Sequence, residues 1–208
     1  VPTPPLSRRA AAAGLLLLLT SGCAGLLPKA PAPPAFYALD GGAATEVAPL
    51  SRAGGRTLVV SPIAAAPGFD SPRMVYLKHP HELAHYAQSE WVDTPARMLA
   101  PQVTAALAGS GAFAAVVAGP NGVAADLRLD LLLLRLQHDF TGPRSRVRLT
   151  LQATLVDTAT RQVRTQRVID EQVDAASEDA RGGVLAANQA VAQALRALIA
   201  MGAAAAAP

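Results

Sequence analysis

Three histidines that lie close together are the first residues that could do chemistry. His79, His81 and His85 are separated by even numbers of residues, so on one continuous strand they would face the same side and could ligate a metal ion. Pro80 interrupts such a strand, and no cysteine or carboxylate continues the spacing. We therefore interpret these residues as solvated loop histidines and expect neither a bound metal nor another cofactor.

A hydrolytic site would need a serine, a histidine and an aspartate brought together in space. Ser61, His138 and Asp139 are the residues that the sequence offers, but it has no Gly-x-Ser-x-Gly segment. A chain of this length readily supplies such triples by chance. We predict that the protein has no catalytic residues and is not an enzyme.

Five arginines form the strongest candidate binding group. Arg144, Arg146 and Arg148 lie on or beside one polar strand face, and Arg164 and Arg167 lie on its expected neighbour. Guanidinium groups suit phosphate or carboxylate partners, so contact with lipid headgroups or with an acidic protein surface is one interpretation. The favoured alternative is a solvated sheet face whose charge is balanced by nearby carboxylates, namely those of Asp126, Asp130, Asp170 and Glu171.

Tyr76, Tyr86 and Trp91 are candidates for partner contact in a chain that has few aromatic residues. Tyrosine and tryptophan are enriched at binding interfaces, but they are also ordinary core residues. Both interpretations stay open from the sequence.

The first 22 residues have the parts of a signal peptide. Ser7-Arg8-Arg9 is positively charged, and residues 10–19 form an apolar run too short to span a bilayer. The small residues Thr20-Ser21-Gly22 follow and lead to Cys23, the single cysteine. The fold therefore has no internal disulfide.

The segment that ends at Cys23 resembles the lipobox of bacterial lipoproteins, although Thr20 stands where leucine is usual. This resemblance implies that acyl chains are attached to Cys23 and anchor the protein to a membrane. Because Ala24 follows rather than aspartate, it also implies transfer to the outer membrane. The alternative is an ordinary secretory signal that happens to end beside a cysteine.

The mature chain is expected to be nearly neutral. Two of the 18 basic side chains and none of the 15 acidic ones lie in residues 1–22, which leaves 16 basic and 15 acidic side chains. Together with an aromatic content of 4%, this balance argues against a nucleic-acid partner. Four prolines within residues 23–35 predict an extended tether between the lipid and the domain.

Short strands and one helix are predicted for the first half of the domain. Residues 36–39, 57–63 and 113–117 are strand candidates, and residues 73–77 and 83–92 read as a strand pair. A helix begins at Thr94-Pro95 and ends at the glycines near residue 110, with a kink or a later start at Pro101. Its apolar face comprises Leu99, Val103 and Leu107.

Three longer strands are predicted for the second half. Residues 146–155 alternate without error between apolar and polar side chains, which is typical of a half-buried antiparallel strand. Within residues 126–140 the apolar face switches, so we expect a bulge near residues 131–135. Residues 162–173 are more polar and predict an edge strand.

Ser177 or Asp179 opens a second helix, whose expected buried stripe is Val184, Ala187, Val191, Leu195 and Leu198. No later apolar run reads as a transmembrane helix. The order of elements predicts one α+β domain over residues 36–201, with two helices packed on one face of a mostly antiparallel or mixed sheet. Residues 202–208 read as a disordered tail.

Taken in order, several segments resemble the ABC-type transport auxiliary lipoprotein family, the PqiC-like proteins. They are residues 36–39, residues 67–76, the series Tyr86, Trp91 and Pro95, the long central hairpin, and the alanine-rich helix around residues 186–190. The resemblance implies a periplasmic accessory lipoprotein that works with an ABC transporter and its MCE-domain protein, moving phospholipid or another hydrophobic molecule. It also implies that a ring-like homo-oligomer could form.

Two other function classes remain as alternatives. One is a structural lipoprotein of another envelope machine, such as lipopolysaccharide or outer-membrane protein assembly. The other is a soluble ligand-binding domain, which would need a deep apolar pocket between sheet and helices. Helix stripes as regular as these are expected to fill that space with side chains.

Overall fold

The computed structural model describes residues 33–41, 55–120 and 122–206. Residues from Pro34 onward form one compact unit. The predicted leader, Cys23 and most of the predicted tether lie outside the described residues.

The described residues form nine strands and two helices. In chain order they are β1 (Ala35–Tyr37), β2 (Thr57–Val60), β3 (Ala64–Ala65), β4 (Arg73–His79), β5 (Glu82–Trp91), α1 (Pro95–Gly109), β6 (Ala115–Ala118), β7 (Leu127–Asp139), β8 (Arg146–Asp157), β9 (Val163–Asp174) and α2 (Ala180–Ala206). The sheet is mixed and the helices number two, which confirms the predicted α+β class.

The long strand β7 organises the sheet. On one side β8 pairs with it antiparallel, and β9 pairs antiparallel with β8. On its other side β2, β3 and β4 follow one another, each parallel to β7. β6 extends the sheet beyond β2, while β5 and then β1 extend it beyond β4.

A bulge in β7 reverses which residues face the helices. Leu133 pairs with Leu151 and Arg135 with Thr150, so Leu134 is the extra residue. Before this point the odd-numbered leucines are buried, and after it Leu136 and His138 are buried. The structure therefore confirms the predicted bulge, and it brings a histidine into the core.

Both helices pack on the face that carries these buried side chains. α1 has Thr94 at its N-cap position and Pro95 in its first turn, and it begins there in spite of Pro101. At the start of α2, the Asp179 carboxylate accepts a hydrogen bond of 2.7 Å from the Gly182 amide. All five residues of the predicted α2 stripe are buried.

The predicted end of the second helix is wrong. α2 continues to Ala206 rather than ending at residue 201, because alanine favours the helix and Met201 and Gly202 are buried. Gly202 lies so close to Phe113 that an added Cβ would be 3.0 Å from its ring. Packing against α1 and its following loop thus extends the helix into the predicted tail.

Length and composition alone would allow α2 to cross a membrane, since an 18-residue stretch of it has a mean hydropathy of 1.3. Half of this stretch is buried within the domain, however, as in the core helix of a globular protein. We therefore interpret α2 as a core helix of the domain.

Candidate functional site

The predicted contact tyrosines lie in an aromatic cluster where the middle of the β4–β5 hairpin meets the C-terminal end of β7. The rings of Tyr76 and Tyr86 are 4.9 Å apart, and Phe140 stands edge-on to Tyr76 at 6.2 Å. His138 completes the group, with its ring 4.2 Å from that of Phe140. The hairpin of β4 and β5 is thereby joined through side chains to β7, with which β4 pairs only at Tyr76 and Leu77.

His138 is the buried polar centre of this cluster. Its side chain is 3% exposed, its Nδ1 lies 2.9 Å from the Tyr86 hydroxyl, and its Nε2 is buried without a hydrogen-bond partner among the described residues. Burial lowers the pKa of His138, although Asp179 opposes the shift. Burial, with Asp179 nearby, raises the pKa of Tyr86 to about 12, so both groups are neutral at neutral pH.

Trp91 is more deeply buried than the two tyrosines. It is 5% exposed and belongs to the hydrophobic core, so of the two interpretations left open the structure supports the core residue. Beside it, between β7 and α2, the remaining space is only about 10 Å³. That is room for about one water molecule and far too little for an acyl chain.

On the predicted arginine face, Arg148 is neutralised within the chain. Arg148 makes two hydrogen bonds to the Asp170 carboxylate, at 2.9 and 2.7 Å, and Thr150 donates a third. The Arg148 guanidinium and Thr150 lower the pKa of Asp170 to about 2. Arg146 donates a hydrogen bond of 3.3 Å to Gln172.

The other arginines of this group differ in their contacts. Arg164 forms an ion pair of 3.5 Å with Asp157, whereas Arg144 is exposed in the loop before β8. Of the carboxylates expected to balance the face, Asp130 pairs with Arg128 and Asp126 accepts a hydrogen bond from the Thr57 amide. Among the described residues the balanced interpretation thus fits Arg148 and Arg164, each of which pairs with a carboxylate.

A groove crosses the face of the sheet opposite the helices. We call it the outer groove, and its volume is about 480 Å³. One wall is apolar and the floor carries charge, with a lining that comprises Phe69, Leu77, Pro80, His81, Leu83, Leu134, Arg135, Gln137, Asp139, Thr141 and Arg148. Leu83 is 48% exposed here, a large apolar side chain open to solvent. Such a surface suits an amphipathic partner.

The histidines and the hydrolase candidates are not assembled into sites. His79, His81 and His85 are all exposed, but the prediction that they are loop residues is wrong for His79 and His85, which lie in β4 and β5; within the described ranges no three metal-binding side chains cluster. Ser61 donates a hydrogen bond of 2.6 Å to Asp130 and lies beside Leu129, nine residues along β7 from His138.

Asn188 is an important residue that the sequence did not single out. From α2 its side-chain oxygen accepts hydrogen bonds from the amides of Asp40 and Gly41, at 2.7 and 2.9 Å. Its amide nitrogen donates to Ala38 at 3.3 Å. The segment that follows β1 is therefore fastened to the second helix.

A family model described as the ABC-type transport auxiliary lipoprotein component matches residues 37–199, which span nearly all of these elements. The chain belongs to this family. The predicted family is thus confirmed, and the protein is an auxiliary component of ABC-type transport. Membership of this lipoprotein family implies a membrane-anchored location in the periplasm.

Solved structures share the fold of this auxiliary lipoprotein. A DUF330 protein from Xanthomonas campestris is 26% identical, with a TM-score of 0.66 over 72% of this chain and 85% of its own. An uncharacterized protein is 15% identical, with a TM-score of 0.64 over 82% of this chain and 99% of its own. None of the curated proteins matches the chain.

Proposed function

We propose that this auxiliary lipoprotein is an outer-membrane-anchored, non-enzymatic subunit of an MCE/ABC-type phospholipid transport system. Acyl chains on Cys23 hold the domain at the periplasmic face of the outer membrane, and the domain captures the MCE-domain protein. The observation that carries the proposal is the family match over residues 37–199.

The packing of the domain supports capture of a protein rather than carriage of a lipid. The space of about 10 Å³ between α2 and the sheet is no lipid pocket. Pockets that bind small-molecule ligands have volumes of several hundred cubic ångströms and enclose most of the ligand. The phospholipid therefore travels through the partner, and this subunit acts by tethering.

The outer groove is the surface that we assign to the MCE-domain partner. Leu83 and Phe69 provide apolar contact, and Arg135 provides directional polar contact beside the Arg148–Asp170 pair. Tyr76 and Tyr86 support the hairpin that forms one wall, while Arg144 and Arg146 lie on and next to the loop after β7. Of the predicted contact residues, Arg148 lines the groove itself, whereas Tyr86 contacts His138 on the helix-facing side of the sheet and Trp91 is buried.

Anchoring and partner are tested together by crosslinking in cells and recovering the protein from native membranes. We expect an MCE-domain protein to be recovered with the wild type and to be reduced with Cys23→Ala, which removes the acylated thiol. Recovery of lipopolysaccharide-assembly or outer-membrane protein-assembly components, without an MCE-domain protein, would overturn the proposal. The expression level of Cys23→Ala, measured on whole cells, controls for loss of the protein itself.

A further inference from the structure

Strand β9 forms one edge of the sheet and is 12 residues long. Among the described residues β9 pairs only with β8, so along its 12 residues the outward-facing backbone groups have no strand partner. Natural edge strands are usually protected by shortness, charged side chains, proline or bulges. β9 is long and has no proline, and its one irregularity lies at its beginning, near Arg164, so the arrangement of its charged side chains decides what it can pair with.

The charges of β9 change sign about its middle. Arg164 and Arg167 precede Ile169, whereas Asp170, Glu171 and Asp174 follow it. An antiparallel copy of the same strand, centred on Ile169, would place each Arg167 opposite the Glu171 of the other copy. The same register places Arg164 opposite Asp174, so both pairs are of opposite sign. A parallel in-register pair would instead set like charges side by side.

Arg167 and Glu171, near the centre of this register, can form ion pairs between the two copies. Arg167 is exposed, Glu171 is half-buried, and neither makes an ion pair with another described residue. Both lie on the same face as Ile169, since they oppose the buried Ala153 and Leu149 of β8. On the other face Val168, which is 61% exposed, would be covered by the second copy.

We infer that β9 is a homodimerisation edge: two copies of this chain pair their β9 strands antiparallel about a two-fold axis at Ile169, with reciprocal Arg167–Glu171 ion pairs. The two sheets then form one continuous sheet, and both open edges are closed. This contact is isologous, unlike the head-to-tail contact on which a ring is built. It goes beyond the proposed transport function and does not depend on it.

Charge-reversal variants test this inference. Each protein is purified from membranes in mild detergent, and its monomer–dimer distribution is measured by native mass spectrometry over a range of concentrations. We expect the wild type to dimerise, and Arg167→Glu or Glu171→Arg alone to weaken the dimer about tenfold, because each reversal turns two attractive pairs into repulsive ones. The double variant restores opposite charges across the axis and should recover the dimer. Arg196→Glu, an exposed reversal on α2, is the control and should leave the dimer unchanged.

Two results would overturn the inference. One is a monomer at every concentration. The other is an oligomer whose stability is unaffected by the single reversals or is not recovered in the double variant. Thermal unfolding of each variant separates loss of pairing from loss of fold. Since the measurement contains only this chain, its outcome is independent of whether an MCE-domain partner is found.

Discussion

The hydroxyl of Tyr86 on β5 lies 2.9 Å from Nδ1 of His138 on β7. This hydrogen bond is the polar link in a cluster that is otherwise held by ring contacts. Protonation of His138 would place a positive charge in a buried site where Nε2 has no partner within the described part of the chain. The cluster should therefore make the fold sensitive to acid.

We predict that the free energy of unfolding falls as the pH drops below about 6.5, the ordinary pKa of histidine. Burial lowers the pKa of His138 in the folded state, so between its lowered pKa and about 6.5 the unfolded chain binds the additional proton. Below the lowered pKa this contribution stops changing. Within the window the loss is at most about 1.4 kcal/mol per pH unit for one group.

Urea denaturation at a series of pH values measures this slope. His138→Gln, which has no titrating ring, should flatten the dependence, and His85→Gln at an exposed position should leave it as in the wild type. An unchanged slope in His138→Gln would assign the acid sensitivity to other groups.

Gly183 should tolerate no side chain. It lies in the first turn of α2 against His138, and an added Cβ would be 2.6 Å from Nδ1 of that ring. Alanine ordinarily stabilises a helix relative to glycine, so a loss of stability in Gly183→Ala would result from the steric conflict with His138. We expect Gly183→Ala to destabilise the domain by about 1–3 kcal/mol.

The control is Gly109→Ala at the end of α1, where an added Cβ would have nothing within 4 Å. Its urea midpoint should equal or exceed that of the wild type. Equal stability of the two variants would show that His138 and α2 are not packed as closely as described.

Asn188 should hold the segment after β1 in place. Asn188→Ala removes the acceptor for the Asp40 and Gly41 amides, and we expect a loss of about 1–2 kcal/mol because these donors lose their partner. Hydrogen exchange at residues 38–41 should quicken more than in the rest of the domain. Gln189→Ala, the exposed neighbour on the same helix, should change neither measurement. Uniform quickening over the whole domain would indicate global destabilisation instead.

Local patterns allowed much of the fold to be predicted. The alternation within residues 146–155 and the switch of apolar face near Leu134 each follow from the two-residue period of a strand, and both are present in β8 and β7. The α2 stripe follows equally from the helical period. These features depend only on neighbouring residues.

Contacts between residues far apart in the chain could not be predicted from the sequence. The hydrogen bond between Tyr86 and His138 spans 52 positions, and the contacts of Asn188 with the N-terminal segment span nearly 150. Trp91 could not be assigned to surface or core, because its burial depends on how β5 meets β1 and the helices. β2 ends at Val60 rather than at residue 63, where the sequence had predicted its end. The cause is local, because Pro62 has no N–H to donate to a neighbouring strand.

Capture of the MCE-domain protein through the outer groove is tested most directly by a matched pair of leucine variants. Leu83, 48% exposed, lines the groove, and Leu185, 53% exposed, lies on α2 on the other side of the sheet. After crosslinking in cells, we expect the wild type and Leu185→Asp to recover the MCE-domain protein equally and Leu83→Asp to recover much less. Absence of the MCE-domain protein from the wild-type sample, or equal recovery with both variants, would contradict the account.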